Sequence, residues 1–126
     1  MSKEYHTIMP QGSSILFITS YVGYTPDNTV GIYSVSKTAL LGLIKVMAKE
    51  LQDSKIRVNG IAPGLIRTNF AAAMLSQEQA VLDKLEVDRV GKPEDIGHAA
   101  AYLCSKDAEY VNGETLSVTG FVSPKL

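Results

Sequence analysis

Residues 31–51, GIYSVSKTALLGLIKVMAKEL, decide the fold. Their apolar residues recur at helical spacing. Leu40, Leu43, Ile44, Met47 and Leu51 form one stripe, and Val35, Ala39, Gly42 and Val46 form a second. A helix that is apolar on two faces needs a cover on both, for example a sheet on one side and another helix on the other. The flanking segments supply the sheet. Residues 14–19, SILFIT, are a β-branched and aromatic run of strand length, apolar on both faces as buried parallel strands are. Residues 56–62, IRVNGIA, read as a second strand ending at Pro63-Gly64, and residues 114–118 as a third, closed by Gly120.

The rest of the chain fits around this unit. Residues 1–9 read as a short helix that Pro10 and Gly12 end. A turn-rich loop with Gly23, Pro26, Asp27 and Asn28 precedes the long helix. After Pro63-Gly64 a loop is expected to run to about Leu75. Ser76 and Gln79 match a capping box, which predicts a helix over 76–86. Another helix starts at Pro93, with Glu94 and Asp95 in its first turn and Ile96, Ala99, Ala100 and Leu103 on its core face. Strands alternating with helices imply parallel strands joined by right-handed crossovers, an α/β doubly wound sheet. Ligands of such sheets sit beyond the carboxyl ends of the strands. Ser20 and Pro63-Gly64 fall at two such ends.

Bulk properties narrow the class. The chain has 126 residues, enough for one small domain, and a formal charge of −1. Nothing in that balance suggests nucleic acid as a partner. The apolar runs read as too short to span a bilayer, and no secretory leader is visible. Cys104 is the single cysteine, so no disulfide framework or cysteine-based metal site is expected, and it reads as a buried small hydrophobe. These features favour a soluble intracellular protein.

Two segments fit the pattern Tyr-x-x-x-Lys: Tyr33 to Lys37 and Tyr102 to Lys106. Positions i and i+4 share a helix face, so an ammonium can approach a phenol, and an ammonium favours the phenolate. Such a phenol can pass a proton to or from a substrate oxygen. A nearby serine hydroxyl can hydrogen-bond the same oxygen. Only the first pair has that serine: Ser20 lies thirteen residues before Tyr33, at a strand end, whereas Arg89 lies thirteen before Tyr102. Tyr102 reads as a core or edge aromatic, and Lys106 as a cation at a helix C-terminus.

Ser20, Tyr33, Lys37, the stretch NTVGIYSVSKTALLGLIKVMAK at 28–49, IRVNGIAPG at 56–64 and PGLIRT at 63–68 together resemble the short-chain dehydrogenase/reductase superfamily. Within it they look most similar to the NADPH-dependent carbonyl/retinal reductase group. The resemblance runs from Ser14 to Gly120. It implies a Rossmann-type sheet, and an NADP cofactor or NAD in its place. The substrate would be a ketone, an aldehyde or a secondary alcohol. Ser20 would polarise the carbonyl, Tyr33 would be the acid/base, and Lys37 would assist it and bind the nicotinamide ribose. Pro63 and Gly64 would bring the following segment to the nicotinamide, with the backbone of Ile66 on the carboxamide and Thr68 on the carboxamide or the pyrophosphate. Residues 70–90, with Ala71, Ala72, Ala73, Met74 and Leu75, resemble the substrate lid. The helix at 31–51 would form a homo-oligomer contact.

The family's glycine-rich turn, Thr-Gly-x-x-x-Gly-x-Gly, is absent from this sequence. That turn receives the pyrophosphate at a helix N-terminus. The chain is therefore expected to be the C-terminal part of such a sheet, about three strands and three to four helices, with the nucleotide-binding half missing. As a single partial domain, 1–126, it is expected to be marginally folded, with an open edge on its first strand and weak or no NADPH binding. Two other readings stand beside the enzyme: an inactive fragment or isoform that acts only as an oligomerisation partner, and an extended-branch epimerase or dehydratase. The location is expected to be cytoplasmic, with Pro124-Lys125-Leu126 as a weak version of a peroxisomal address.

Overall fold

In a computed structural model, residues 8–120 are described, apart from the side chains of Phe70, Ala73 and Met74. The elements alternate as the sequence demands. Strand β1 is Ser14–Ile18, helix α1 is Gly31–Glu50 and strand β2 is Arg57–Pro63. Short helix α2 is Ala72–Leu75, α3 is Glu78–Leu85, α4 is Pro93–Cys104 and strand β3 is Thr115–Val118. The three described strands form one parallel sheet in the order β1-β2-β3, with Ser14 opposite Arg57 and Gly60 opposite Thr115. β1 is an edge of this sheet, and Ile18 at its end is 48% exposed.

Helices cover both faces of β2, because successive side chains of a strand point to opposite sides. On one side Ile44, Met47, Ala48 and Leu51 of α1 pack with Ile56 and Val58 in a core joined by Met9, Ile15 and Phe17. Gly60 belongs to this face. A Cβ there would lie 2.6 Å from Ile44 Cδ1, so the helix sits on the sheet only because residue 60 has no side chain. On the other side the Arg57 guanidinium donates to the carbonyls of Leu103 (2.8 Å) and Ser105 (3.1 Å), at the end of α4. Leu103 is buried there.

β3 starts too late to pair with the first residues of β2, and side-chain amides fill the gap. Asn112 Oδ1 accepts from the Val58 N–H at 2.9 Å, and the Gly113 N–H donates to the Val58 carbonyl at 2.8 Å. Asn59, fully buried, donates through Nδ2 to Val111 O at 2.9 Å and accepts the Glu114 N–H at 3.0 Å. Every buried backbone group along this join thereby gains a partner.

Several expectations change. The second stripe of α1 is not covered: Val35 is 68% exposed and Val46 63%. The reason is that the sheet takes one side of the helix and no other described element packs on the opposite side. The same apolar excess makes Asn28–Glu50 long and apolar enough, by length and composition, to cross a membrane, which the separate apolar runs did not suggest. Its inner face, however, is seated on the sheet. Ser76 does not cap a helix over 76–86. α2 occupies part of the expected loop, Ser76 lies in the turn after it, and α3 begins at Glu78 behind Gln77. Cys104 is exposed, because Leu103 takes the inward position at the end of α4. The helix expected over residues 1–9 and the Pro124-Lys125-Leu126 address lie, almost wholly and wholly, outside the described residues.

Candidate active site

β1 delivers its carboxyl end directly to the candidate site. Ser20, 8% exposed, follows the strand in extended conformation and opens the single 3-10 turn Tyr21–Gly23. The chain then folds back. Asp27 Oδ1 accepts the Thr29 N–H at 2.8 Å and caps a second such turn, Asn28–Val30, which runs into α1. Tyr33 lies in the first turn of α1 and Lys37 one turn later. Helical spacing stacks them as expected: Lys37 Nζ is 5.5 Å from the centre of the Tyr33 ring. The ammonium also donates to the Ile18 carbonyl at 3.0 Å, two residues before Ser20. That bond ties the Tyr33–Lys37 pair to the end of the strand that carries the serine.

The competing pair is not stacked in this way. α4 ends at Cys104, and Ser105 leaves the helix with ψ 173. Its hydroxyl accepts the Asp107 N–H at 3.1 Å and starts a separate turn, Lys106–Ala108. Lys106 is therefore not in the last turn of α4, and Tyr102 is 45% exposed. Tyr21 is next to Ser20 in sequence, but burial, together with the negative charge of Asp27, pushes its phenol above the usual range. It therefore stays neutral and is the poorer proton carrier.

The segment after β2 is fixed from two sides. The Gly64 N–H donates to Val118 O at 2.9 Å, and Ile66 forms a parallel bridge with Gly91. That bridge uses the Leu65 carbonyl and the Arg67 N–H, each at 2.9 Å from Gly91. In extended backbone the amide and carbonyl of Ile66 itself then point the other way. Thr68 Oγ1 reaches back to Ile66 O at 3.4 Å. These groups fit one end of a nicotinamide cofactor: a carboxamide needs a neighbouring donor and acceptor, and a ribose diol is matched by an ammonium such as that of Lys37. The glycine-rich phosphate turn for the other end is absent from the sequence.

Helix α3 lies across this region, held at both ends. Arg67 pairs with Glu78 at 2.6 Å, and Lys84 approaches Asp27 at 3.5 Å. Such exposed pairs guide position and add little to stability. At the start of α4, Asp95 accepts both Arg89 nitrogens (2.7 and 3.1 Å) and the Lys92 N–H (2.7 Å). The Arg89 hydrogen bonds, with that of Lys92, hold its carboxyl down to about 2. A cleft of about 680 Å³ opens beside this pair, between Ile66, Val87, Arg89, Val118 and Gly120. Ser20, Tyr33 and Lys37 are not among its lining residues, so the chemistry is assigned to their arrangement and not to the cleft.

The structure thus brings Ser20, Tyr33 and Lys37 to one strand end, and sets Pro63, Gly64, Ile66 and Thr68 on the neighbouring one. Sequence reading missed the Ile18 carbonyl as the anchor of Lys37, since a backbone acceptor leaves no trace in residue identity.

A serine at one strand end of a parallel sheet and a stacked tyrosine–lysine pair on the following helix make this the candidate site of an α/β protein, and comparison with known proteins gives its family. A family model described as Enoyl-(Acyl carrier protein) reductase matches residues 1–121. The chain belongs to the short-chain dehydrogenase/reductase family. It is 43% identical over 118 residues to Dehydrogenase/reductase SDR family member 4 of Oryctolagus cuniculus, covering 91% of this chain and 45% of that protein. It is 40% identical over 121 residues to Short-chain dehydrogenase/reductase SDRA of Arabidopsis thaliana, covering 94% of this chain and 47% of the relative. The chain spans about half the length of the curated relatives it matches. Among solved structures, a blue fluorescent protein from a metagenomic library in complex with NADPH superposes with TM-score 0.88 at 30% identity, covering 96% of this chain and 49% of that one. A 4-hydroxyisoleucine dehydrogenase complexed with NADH and succinate gives TM-score 0.79 at 34% identity, covering 87% and 46%.

Proposed function

We propose that this chain carries the catalytic part of an NAD(P)(H)-dependent oxidoreductase that interconverts a ketone or aldehyde with the corresponding alcohol. The observation that carries the reading is the Lys37 ammonium, stacked by Tyr33 and hydrogen-bonded to the strand end that leads into Ser20. Tyr33 donates the proton to the substrate oxygen, or removes it in the reverse direction. Ser20 hydrogen-bonds that oxygen and stabilises its developing charge. Lys37, placed over the Tyr33 ring, would hold the ribose. The Ile66 backbone and Thr68 would hold the carboxamide side, on the segment that Pro63 and Gly64 position. The bound nicotinamide supplies or accepts the hydride. α3 and the residues around it form the lid over the substrate. Relatives with NADPH and with NADH both support a nicotinamide cofactor, and NADP is the first choice.

The test is a fluorescence titration of the purified 126-residue protein with NADPH, followed by turnover of a small aromatic ketone. Saturable binding, weak because the glycine-rich turn is absent, with ketone-dependent NADPH loss supports the reading. Absence of binding up to millimolar NADPH would remove the reading for this chain alone and leave the alternative, a catalytically inactive partner of longer subunits.

The second reading has its own observation. Ile32, Val35 and Val46, 91%, 68% and 63% exposed, lie along the outer side of α1. We propose that this stripe pairs with a second copy, as an apolar helix face does when it leaves water. The double variant Val35→Asp/Val46→Asp should convert a dimer to a monomer in sedimentation velocity. A parent that sediments as a monomer at 100 μM, about a hundredfold above a typical micromolar dissociation constant, rejects the homo-oligomer. Location is proposed to be cytoplasmic, with the C-terminal address as the peroxisomal alternative; fluorescence of the tagged and tail-deleted chains decides it.

A further inference from the structure

We propose that Gly23, Ser34 and Thr38 are positioning residues, a clamp that fixes the Ser20 turn against the first turns of α1 and so sets the geometry between Ser20 and the Tyr33–Lys37 pair. The inference rests on the oxidoreductase reading for its catalytic consequence, but the clamp itself is a feature of the fold.

Three contacts converge on the turn. A Cβ on Gly23 would lie 3.0 Å from the Lys37 carbonyl oxygen and 3.1 Å from its carbon, so the turn backbone lies flat on the helix backbone at the catalytic lysine. Thr38 Oγ1 donates to the Gly23 carbonyl at 2.8 Å, with the Ser34 carbonyl at 3.0 Å as its alternative acceptor. Ser34 is fully buried, and its hydroxyl accepts the Asp27 N–H at 3.3 Å. Ser34 and Thr38 each follow a site residue by one position, so they share a helix face four residues apart. One face of the helix presents Tyr33 and Lys37, and the next grips the two ends of the loop that begins at Ser20. The Thr38 hydroxyl is the side-chain donor that the structure gives the Gly23 carbonyl.

The clamp acts through Ser20 and Lys37, not by touching substrate. Its loss therefore affects the turn locally and the chemical step, with little effect on cofactor affinity.

The experiment compares the parent with Thr38→Val, Thr38→Ser and Gly23→Ala. Thr38→Val keeps the shape and removes the hydroxyl, and Thr38→Ser restores it. Amide hydrogen exchange is read at Gly23 and Tyr24, whose N–H groups close the turn onto Ser20 O and Tyr21 O, and at Ile61 and Ala62 in β2. Thr38→Val and Gly23→Ala should each speed exchange in the turn about tenfold and leave β2 unchanged, and Thr38→Ser should return the turn to the parent rate. Unchanged turn exchange overturns the clamp. Equal acceleration in β2 also overturns it, since Thr38 would then be a general stability residue. In turnover, kcat should fall about ten- to a hundredfold in Thr38→Val with the KM for NADPH unchanged and with recovery in Thr38→Ser. Parent-level kcat in Thr38→Val overturns the positioning role. A parent that shows the exchange pattern but no turnover defeats the oxidoreductase reading of this chain and supports the clamp as a structural device.

Discussion

Tyr33→Phe is expected to lower carbonyl turnover by about 10²–10⁴-fold while cofactor binding changes little. The substitution removes one oxygen. The ring that stacks with Lys37 stays, and so does the bond from Lys37 Nζ to the Ile18 carbonyl. What disappears is the group that exchanges a proton with the substrate oxygen. Ser20 cannot replace it, because an ordinary hydroxyl hydrogen-bonds a developing charge without giving up its proton near neutral pH. The effect therefore appears in kcat and kcat/KM together, the pattern of an interaction made in the transition state. Steady-state rates with NADPH and a ketone, beside an NADPH titration of the same variant, measure both. Turnover within threefold of the parent would move the acid/base role away from Tyr33. Tyr102→Phe is the matched control and should be silent, since its lysine is outside the helix.

Asn59→Leu is expected to cost about 1–3 kcal/mol of folding stability. Asn59 is fully buried on the α4 side of β2 and satisfies two backbone groups, Val111 O and the Glu114 N–H. Leucine has nearly the same shape but no polar atom, so the Glu114 N–H loses its partner and Val111 O keeps only the longer bond from Arg57 Nη1 at 3.3 Å. Such an orphan costs about 1–3 kcal/mol. Small domains hold only about 5–15 kcal/mol in all, so the variant should be partly unfolded at moderate urea concentrations. Asn59→Asp keeps the acceptor for Glu114 but sets a carboxylate oxygen against the Val111 carbonyl, and should be no better. Urea denaturation with an unchanged m-value checks the size. A cost below 0.5 kcal/mol would mean that water reaches this join.

The candidate site was legible in part for physical reasons, whereas the family came from the resemblance of longer stretches such as NTVGIYSVSKTALLGLIKVMAK and IRVNGIAPG. Proton transfer needs a phenol, an ammonium at helical spacing and a hydroxyl at a strand end, and these requirements leave named residues at countable distances. The parallel sheet was legible too, since a run such as SILFIT is apolar and of strand length, although β1 lies half-buried at the edge of the described sheet and is not the buried strand its two apolar faces suggest. Where the reading failed, the cause was a neighbour that sequence does not show. The helix predicted over 76–86 begins instead at Glu78, with Gln77 in the cap position. Cys104 lost the inward position to Leu103.

The sequence by itself determined the order of the elements, the α/β class, and the spacing that makes Ser20, Tyr33 and Lys37 candidate site residues. Each of these depends on local period or residue type. Only the tertiary structure decided which stripe of α1 the sheet covers, which backbone carbonyl anchors Lys37, and how Arg57, Asn59 and Asn112 join β2 to a strand more than fifty residues away. Those outcomes depend on contacts between distant segments, and a buried amide or a backbone oxygen becomes a partner only when the fold brings it there.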